Sequence, residues 1–292
     1  METIGAYAFV TRDWKEKGYP LDLWLKWHFG LFDKISIVTY GKFKVPFHNN
    51  KKLIVTPIKP VSKDRFSFYV IGKTLAQHNL DTDWKVILDI DEFFADRINV
   101  TGFDKSKAYA IRFHQLYGNI NTEMISAEHF AENKFVIHYG NREITNDSAG
   151  AGVAPPYAAR PLIINSIRTE LNKRFNIGKR AYRFYPRIYF DLYHTNTLRD
   201  PKILAKKMKE DILREKNEGV KTRSHLLKVL GKKIDYRDYK KFAPKSYLVR
   251  VKDENLPKVL IKNKNRLNWV EFPFHSYGLP WYFRLSATLQ KI

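Results

Sequence analysis

The chain has 292 residues, of which 44% are hydrophobic and 15% aromatic, enough for one large domain with a substantial core. It has no cysteine, which excludes disulfide bonds and thiolate metal sites, and no run of about 18 apolar residues that would predict a transmembrane segment. The opening METIGAYAFVTRDW lacks the basic-then-apolar layout of a secretion signal, so we expect a cytoplasmic protein.

The N-terminal third predicts alternating strands and helices. Short apolar runs indicate strands, and two longer segments with apolar residues at helical spacing indicate helices. In chain order these are a strand at Ile4–Thr11, a helix at Pro20–Phe32, strands at Lys34–Tyr40 and Leu53–Ile58, a helix at Asp64–Leu80 and a strand at Trp84–Ile90. This order predicts an α/β fold with a mostly parallel sheet, in which ligands bind beyond the carboxyl ends of the strands.

The rest of the chain is less regular. Strands are predicted at Ala108–Phe113, Lys134–His138, Arg187–Tyr193 and Tyr247–Val251, with a helix from Pro201 to about Gly219. The Gly/Ala/Pro-rich segment Glu143–Pro156 has no periodicity and predicts a mobile loop. We therefore expect a catalytic or binding domain at residues 1–200 and a basic α+β extension at residues 201–292.

The net charge of +22 is concentrated in that extension, which holds 23 Lys and Arg against 9 Asp and Glu. Such a block indicates a polyanionic partner, either nucleic acid or anionic lipid, unless it reflects the surface of a lysine-rich or thermophilic proteome. Basic residues mixed with aromatic ones suit phosphates and bases. The candidate partner-binding residues are Lys206, Lys207, Lys232, Lys233, Arg237, Lys240, Lys241, Lys262, Lys264 and Arg266.

Three carboxylates follow a very apolar strand in the segment DWKVILDIDEFF, which runs from Asp83 to Phe94. The strand period of two predicts that Asp89 and Asp91 share one face, where their charges repel unless a cation or proton joins them. A hard divalent ion would solve this and keep open positions for phosphate oxygens. Alternatively, Asp91 and Glu92 cap a turn and Asp89 pairs with a lysine.

Three segments resemble the GT-A glycosyltransferases, especially their family 2-like and family 92-like branches. The strand–Thr11-Arg12-Asp13–helix opening, with LDLWLKWHFGLFDKISIVTY, is similar to their first unit, and WKVILDIDEFF is very close to a W-hydrophobic-x-x-x-D-x-D-E-F signature. YHTNTLRDPKILAKKMKE is similar to a late H-x-x-x-x-R-D-P segment. Together the three span residues 4 to about 210.

This resemblance implies a nucleotide-sugar donor, expected to be a UDP-sugar, and Mn²⁺ or Mg²⁺. It implies metal ligands at Asp89, Asp91 and His194, although Asp89 could instead contact the ribose, and His194 could be a helix-entry histidine bonded to the backbone. The implied donor-binding residues are Thr11, Arg12, Asp13, Tyr40, Lys73 and Asp89. The chain departs from its relatives at Arg12–Asp13 and at Tyr40–Gly41, where an acid or asparagine is common.

Inverting transfer also needs a carboxylate base for the acceptor hydroxyl. The candidates are Glu123, Glu143, Asp147 and Asp191, and Asp147 is preferred because it lies in the predicted loop, which could close over the donor. The leading acceptor is DNA with hydroxymethylated bases, as in some phages, which places the enzyme in the host cytoplasm. The alternatives are a glycan or lipid-linked acceptor at an anionic membrane surface, and a non-catalytic nucleic-acid-binding protein with a degenerate GT-A fold.

Overall fold

A computed structural model describes residues 2–59, 65–106, 108–126, 133–141, 187–217, 235–242 and 246–278. Within these residues the strands are β1 Ile4–Thr11, β2 Lys34–Tyr40, β3 Leu53–Ile58, β4 Trp84–Ile87, β5 Glu92–Phe94, β6 Ala108–Tyr117, β7 Asn119–Ser126, β8 Asn133–Tyr139, β9 Arg187–His194 and β10 Ser246–Arg250. The helices are α1 Leu21–His28, α2 Arg65–His78, α3 Pro201–Asn217, α4 Tyr239–Phe242, α5 Lys258–Lys262 and α6 Lys264–Leu267, with short 3₁₀ helices at Tyr236–Asp238, Asp253–Asn255 and Phe274–Ser276.

The strands form one mixed sheet with a parallel core. Along it the order is β10-β7-β6-β8-β4-β1-β2-β3, and β9 pairs with both β5 and β6. The four strands β3, β2, β1 and β4 are all parallel, as the strand–helix alternation predicted. The strands β8, β6, β7 and β10 continue the sheet in antiparallel pairs. The carboxyl ends of the parallel strands therefore meet at one edge, where Thr11 of β1 is in register with Tyr40 of β2.

The parallel strands β1, β2 and β4 are largely buried because helices and loops cover the sheet, whereas the edge strand β3 is only half-buried. β1 is buried along most of its length, as expected for a parallel strand, and α2 packs on β1, β2 and β4. That helix approaches closely, because a Cβ atom at Gly72 would lie 2.2 Å from the ring of Phe9. The helix α1 packs on β5 and buries Leu21, Trp24 and His28 at helical spacing. None of the described helices is long and apolar enough to cross a membrane.

The described part of residues 201–292 combines helices with a strand of the same sheet. β10 pairs with β7, and Val251, Leu260 and Leu267 belong to the main hydrophobic core. A bidentate ion pair joins Arg266 to Asp22 at the start of α1, with distances of 2.8 and 3.1 Å. The C-terminal segments thus pack against the N-terminal unit, and the division at residue 200 stays a prediction.

A buried histidine predicts how stability depends on pH. His28 is fully buried among Trp24, Phe32, Phe93 and Phe94, and this burial lowers its pKa to about 3. In the unfolded chain the imidazole of His28 takes up a proton near pH 6.5, whereas in the folded protein it does so only near pH 3. The free energy of unfolding therefore falls as the pH drops from 6.5 towards 3.

We expect His28→Phe to remove this dependence. Between pH 7.5 and pH 5 the wild type should lose about 2 kcal/mol more unfolding free energy than the variant, because only the wild type can bind this proton when unfolded. Urea unfolding at the two pH values measures the difference. A packing change in the variant alters its unfolding free energy equally at both pH values. The prediction is therefore contradicted if the wild type and His28→Phe lose the same unfolding free energy between pH 7.5 and pH 5.

Candidate functional site

The predicted carboxylate cluster lies in a turn and not on a strand. β4 ends at Ile87, and the turn before β5 is closed by Glu92, whose Oε2 accepts a hydrogen bond of 2.8 Å from the backbone N–H of Asp89. The backbone N–H of Glu92 in turn donates to the carbonyl of Asp89. The prediction that Asp89 and Asp91 share one strand face is therefore wrong. Asp91 is buried and Asp89 is about one-third exposed.

Asp91 is held by two side chains and by its own backbone. Its Oδ2 lies 2.8 Å from an Arg199 guanidinium nitrogen, and its Oδ1 lies 3.5 Å from His194 Nε2. The backbone N–H and hydroxyl of Thr195 both donate to its carbonyl, at 2.7 and 2.9 Å. Burial by itself would raise the pKa of Asp91, but His194 and Arg199 together lower it to about 2. Asp91 is thus a carboxylate at neutral pH.

His194, the predicted late histidine, ends β9 next to Asp91. Its Nδ1 lies 2.8 Å from Gln115 Oε1 on the neighbouring strand β6. The amide nitrogen of Gln115 donates to the carbonyl of Leu116 at 3.3 Å, which fixes the amide orientation. An amide oxygen only accepts, so Nδ1 of His194 is the donor and Nε2 faces Asp91.

Arg199 was missed as a site residue, although it lies within the late segment that carries the family resemblance. It is 2% exposed, and besides Asp91 it donates to the carbonyl of Lys17 at 2.8 Å and stacks 3.8 Å from the ring of Tyr19. Burial, together with the charges of Asp91 and Asp89, raises the pKa of Tyr19 to about 12. Arg199 therefore joins the carboxylate turn to the loop between β1 and α1.

Asp89 forms an ion pair with Lys73 of α2, at 2.8 Å. Lys73 is nearly fully buried, so this pair lies at the base of the site. The structure thus agrees with the alternative interpretation, in which Asp89 pairs with a lysine. The pair brings together two of the predicted donor-binding residues, Lys73 and Asp89. The role of Asp89 as a metal ligand stays a prediction.

The other predicted donor-binding residues lie at the same sheet edge. The hydroxyl of Thr11 donates to Asp13 at 2.5 Å, and Asp13 pairs with Lys17 at 2.6 Å within the β1–α1 loop. Arg12 is exposed in this loop, and Tyr40 ends β2 beside Thr11. Their part in donor binding stays a prediction.

A groove of about 440 Å³ opens beside this loop. On one side it is bounded by the β1–α1 loop and on the other by the chain that follows β2. Its lining residues are Trp14, Lys15, Lys44, Val45, Pro46, Phe47, His48 and Asn49. Phe47 is 48% exposed with a left-handed backbone at φ 56°, a strained conformation for a bulky residue. The sequence analysis missed these residues, and the run of Pro46, Phe47, His48 and Asn49 after β2 was the available signal.

Asp191, a predicted base, lies in a separate cluster. Its Oδ1 is 2.9 Å from His114 Nε2, and the other ring nitrogen of His114 lies 3.1 Å from Glu123. His114 also stacks on Tyr193 at 4.7 Å. Asp191 and His194 are three positions apart on β9, so the strand alternation directs their side chains to opposite faces of the strand. The predicted bases Glu143 and Asp147 lie outside the described residues.

The predicted partner-binding residues fall into several environments. Lys240 donates to the carbonyl of Ser246 and lies 4.6 Å from the ring of Tyr247, and burial lowers its pKa. Lys207 donates to Asn196 at 2.5 Å. Four of the predicted residues, Lys206, Arg237, Lys262 and Lys264, are exposed. Lys232 and Lys233 lie outside the described residues, as does the side chain of Lys241.

Comparisons with known proteins leave the family open. No protein-family model matches the chain, and no curated protein matches it. A structural comparison finds the crystal structure of S. aureus TarS at 9% sequence identity and a TM-score of 0.31. The match covers 47% of this chain and only 28% of the TarS chain. A likeness of this size carries no argument about function, so the function is inferred from the geometry of the site.

Proposed function

We propose that the protein is a glycosyltransferase that binds a nucleotide-sugar donor at the carboxyl ends of β1, β2 and β4. One observation carries the proposal: a carboxylate oxygen of Asp91, on the buried turn before β5, lies 3.5 Å from the Nε2 atom of His194, at the end of β9. In the structure these two atoms form an ion-pair contact, and His194 lowers the pKa of Asp91. A divalent cation would take the place of the proton between them, because ligands lose their protons when a metal binds.

The chemistry of these donors fits Mn²⁺ or Mg²⁺. Imidazole nitrogen and carboxylate oxygen are both ligands of Mn²⁺, and such ions keep further positions for water and phosphate oxygens. Among the residues that the structure describes, no group of three or more His, Cys, Asp or Glu side chains is placed to hold a metal ion. The proposed site thus has two side-chain ligands, Asp91 and His194, and takes its remaining ligands from the donor. A bound cation would neutralise charge on the leaving diphosphate.

The groove is the proposed nucleoside site. The rings of Trp14 and Phe47 offer apolar walls for a base, Asn49 offers an amide for its edge, and the ammonium groups of Lys15 and Lys44 favour an anionic ligand. The β1–α1 loop borders this groove, and the same loop contacts Arg199 through Lys17 and Tyr19. One loop therefore connects the proposed base site to the proposed diphosphate site.

In the proposed reaction the bond between the anomeric carbon and the diphosphate oxygen breaks, and a bond to the acceptor oxygen forms. The acceptor proton passes to a carboxylate base, for which Asp147 remains the preferred prediction and Asp191 and Glu143 the others. The proposed acceptor is DNA with hydroxymethylated bases. It is supported by the net charge of +22 and by α5 and α6, which carry four cations and no acid.

A second acceptor class has its own support. Phe274 is 85% exposed and Trp269 is 42% exposed, and both follow the basic helices α5 and α6 in the chain. Exposed aromatic residues beside cations also suit the surface of an anionic membrane, where a lipid-linked glycan would be the acceptor. If no nucleotide sugar binds at all, the non-catalytic nucleic-acid-binding interpretation replaces the enzyme.

A donor and acceptor panel tests the proposal. The protein is incubated with a set of nucleotide sugars and Mn²⁺, together with plain DNA, hydroxymethylated DNA or vesicles with a lipid-linked glycan, and each acceptor is weighed by mass spectrometry. Mass gain on hydroxymethylated DNA alone supports the leading proposal, and gain on the glycan alone selects the second. If no acceptor gains mass and no nucleotide sugar is hydrolysed, glycosyl transfer is refuted.

The groove makes a separate prediction. Titration with the nucleoside diphosphate of the accepted donor should change the tryptophan fluorescence of the wild type, because Trp14 lines the proposed base site. Trp14→Phe keeps an aromatic wall but should lose most of this signal while still binding the nucleotide. An unchanged signal in the variant would place the base elsewhere.

A further inference from the structure

The ring of Phe47 is displayed at the surface at a conformational cost. Among the residues that the structure describes, Phe47 is the only one other than glycine with a left-handed backbone, at φ 56°, a region that bulky residues rarely adopt. Burial of the side chain does not account for this, because 48% of it is exposed. Backbone strain of this kind is found mostly at active sites and ligand clamps.

Contacts on both sides of Phe47 hold its backbone in place. Val45 anchors the preceding chain in the main hydrophobic core. The carbonyl of Phe47 accepts a hydrogen bond of 2.8 Å from the backbone N–H of Asn50. Lys52 then donates to two carbonyls just beyond α1, at 2.8 and 3.1 Å. The connection from β2 to β3 is thus fixed on either side of Phe47, which is the condition under which strain persists.

The ring of Phe47 lines the groove and has an open face. It meets the ring of Phe29 edge to face, with centroids 6.0 Å apart, so Phe29 covers at most one of its two faces. The other aromatic residue of the groove, Trp14, is only 5% exposed, and the ammonium group of Lys15 lies 5.3 Å from its ring. Phe47 therefore offers the accessible aromatic surface of the groove.

A flat aromatic group that carries an anion fits these surroundings. An aromatic side chain stacks on any nucleobase, because every base has a π-face. The ammonium groups of Lys15 and Lys44 line the same groove and favour phosphate. A base and a phosphate joined in one molecule are the chemistry of a nucleoside diphosphate.

We infer that the base of the nucleotide donor stacks on Phe47, and that the strained backbone is kept because it holds the ring in the groove before the ligand arrives. A ring that is already in place loses no further freedom on binding, which favours affinity. This inference rests on the proposed function for the identity of the ligand. It also predicts opposite effects: loss of the ring weakens nucleotide binding, whereas relief of the strain stabilises the fold.

The first test measures binding by isothermal titration calorimetry in the presence of Mg²⁺. The ligands are the diphosphates of uridine, cytidine, adenosine and guanosine, with pyrophosphate as the control that lacks a base. For the diphosphate that the wild type binds best, Phe47→Leu should bind about 5- to 100-fold more weakly, and Phe47→Tyr, which keeps the ring, should bind as the wild type does. Pyrophosphate should bind all three proteins equally.

The second test separates strain from packing by urea unfolding. Phe47→Asn also removes the ring, but asparagine tolerates a left-handed backbone, so its unfolding midpoint should equal or exceed that of the wild type and lie above that of Phe47→Leu. Ile71→Asn is the matched control, because Ile71 on α2 is 45% exposed and has no left-handed backbone. Its midpoint should fall, since apolar contacts are lost and no strain is relieved, and its nucleotide affinity should not change.

Equal nucleotide affinity in the wild type and Phe47→Leu would overturn the inference, and so would a midpoint in Phe47→Asn that falls as far as in Phe47→Leu. If sugar is transferred but the Phe47 variants bind the nucleotide normally, the proposed function stands and the inference fails. If the variants differ as expected but no sugar is transferred, the inference stands and the proposed function fails. A wild type that binds none of the four diphosphates would refute both.

Discussion

Replacing Arg199 by methionine should destabilise the protein by about 3–5 kcal/mol. The substitution leaves Asp91 buried with its Oδ2 unpaired, and removing one partner of a buried ion pair typically costs this much because the remaining charge is uncompensated. It also frees the carbonyl of Lys17 and removes the guanidinium stacked on Tyr19. Urea unfolding at neutral pH measures the loss as a change in the free energy of unfolding.

A matched surface pair provides the control. Arg266 binds Asp22 through two hydrogen bonds, but both side chains are more than one-third exposed. Arg266→Met should therefore cost less than about 1 kcal/mol, since exposed ion pairs contribute little. The loss of unfolding free energy in Arg199→Lys should fall between those of Arg199→Met and Arg266→Met, because lysine restores the positive charge but not the planar set of guanidinium donors. Similar losses for Arg199→Met and Arg266→Met would show that burial does not set the strength of the first pair.

The parallel half of the sheet was predictable from the sequence because β1, β2 and β4 are buried on both faces. Continuous apolar runs such as Ile4–Thr11 and Lys34–Tyr40 are typical of strands in a covered parallel sheet, and their bounds were predicted to the residue. The intervening helices follow from apolar spacing alone. Local signals of this kind need no knowledge of which strands pair.

The strand β7 was not predicted, since its buried positions are partly polar. Asn119 and Thr122 are both buried, and the hydroxyl of Thr122 donates to Asn119 and contacts Tyr277. No alternation of apolar residues marks such a strand. For a related reason the prediction extended β4 to Ile90, because the turn that ends it is closed by the Glu92 side chain and not by a glycine or proline.

The candidate site was predictable only where its residues carry a motif. Asp91 and His194 were identified from their sequence context, and the structure brings them within 3.5 Å. The residues that orient them were not, because Arg199 lies 108 positions from Asp91 and Gln115 lies 79 positions from His194. Both contacts depend on the pairing of β9 with β5 and β6, which sequence periodicity does not specify.

Asp91→Asn should reduce sugar transfer by about a thousandfold or more, equivalent to ~4 kcal/mol of transition-state stabilisation. Asparagine has the same shape, so its amide oxygen can accept from Arg199 while its NH₂ group donates to His194 Nε2. In the variant a hydrogen bond between residue 91 and His194 therefore occupies the position that we propose for the cation. The variant should be less stable, because the buried charge of Arg199 loses its carboxylate partner. Mn²⁺ binding and turnover, which we expect to be lost, are therefore measured under conditions in which the variant is still folded.

Asp81→Asn is the matched control for this substitution. Asp81 precedes β4 at the opposite end from the carboxylate turn and pairs with the exposed Lys34 at 2.8 Å. Removing that charge should leave turnover and Mn²⁺ affinity unchanged, since the pair lies at the amino ends of the strands. Turnover is measured as nucleotide-sugar hydrolysis and as mass gain on the acceptor, and circular dichroism reports the fold. Full turnover by a folded Asp91→Asn protein would mean that the Asp91 carboxylate is not needed to hold the donor, because a neutral amide lacks the negative charge with which a carboxylate binds a divalent ion.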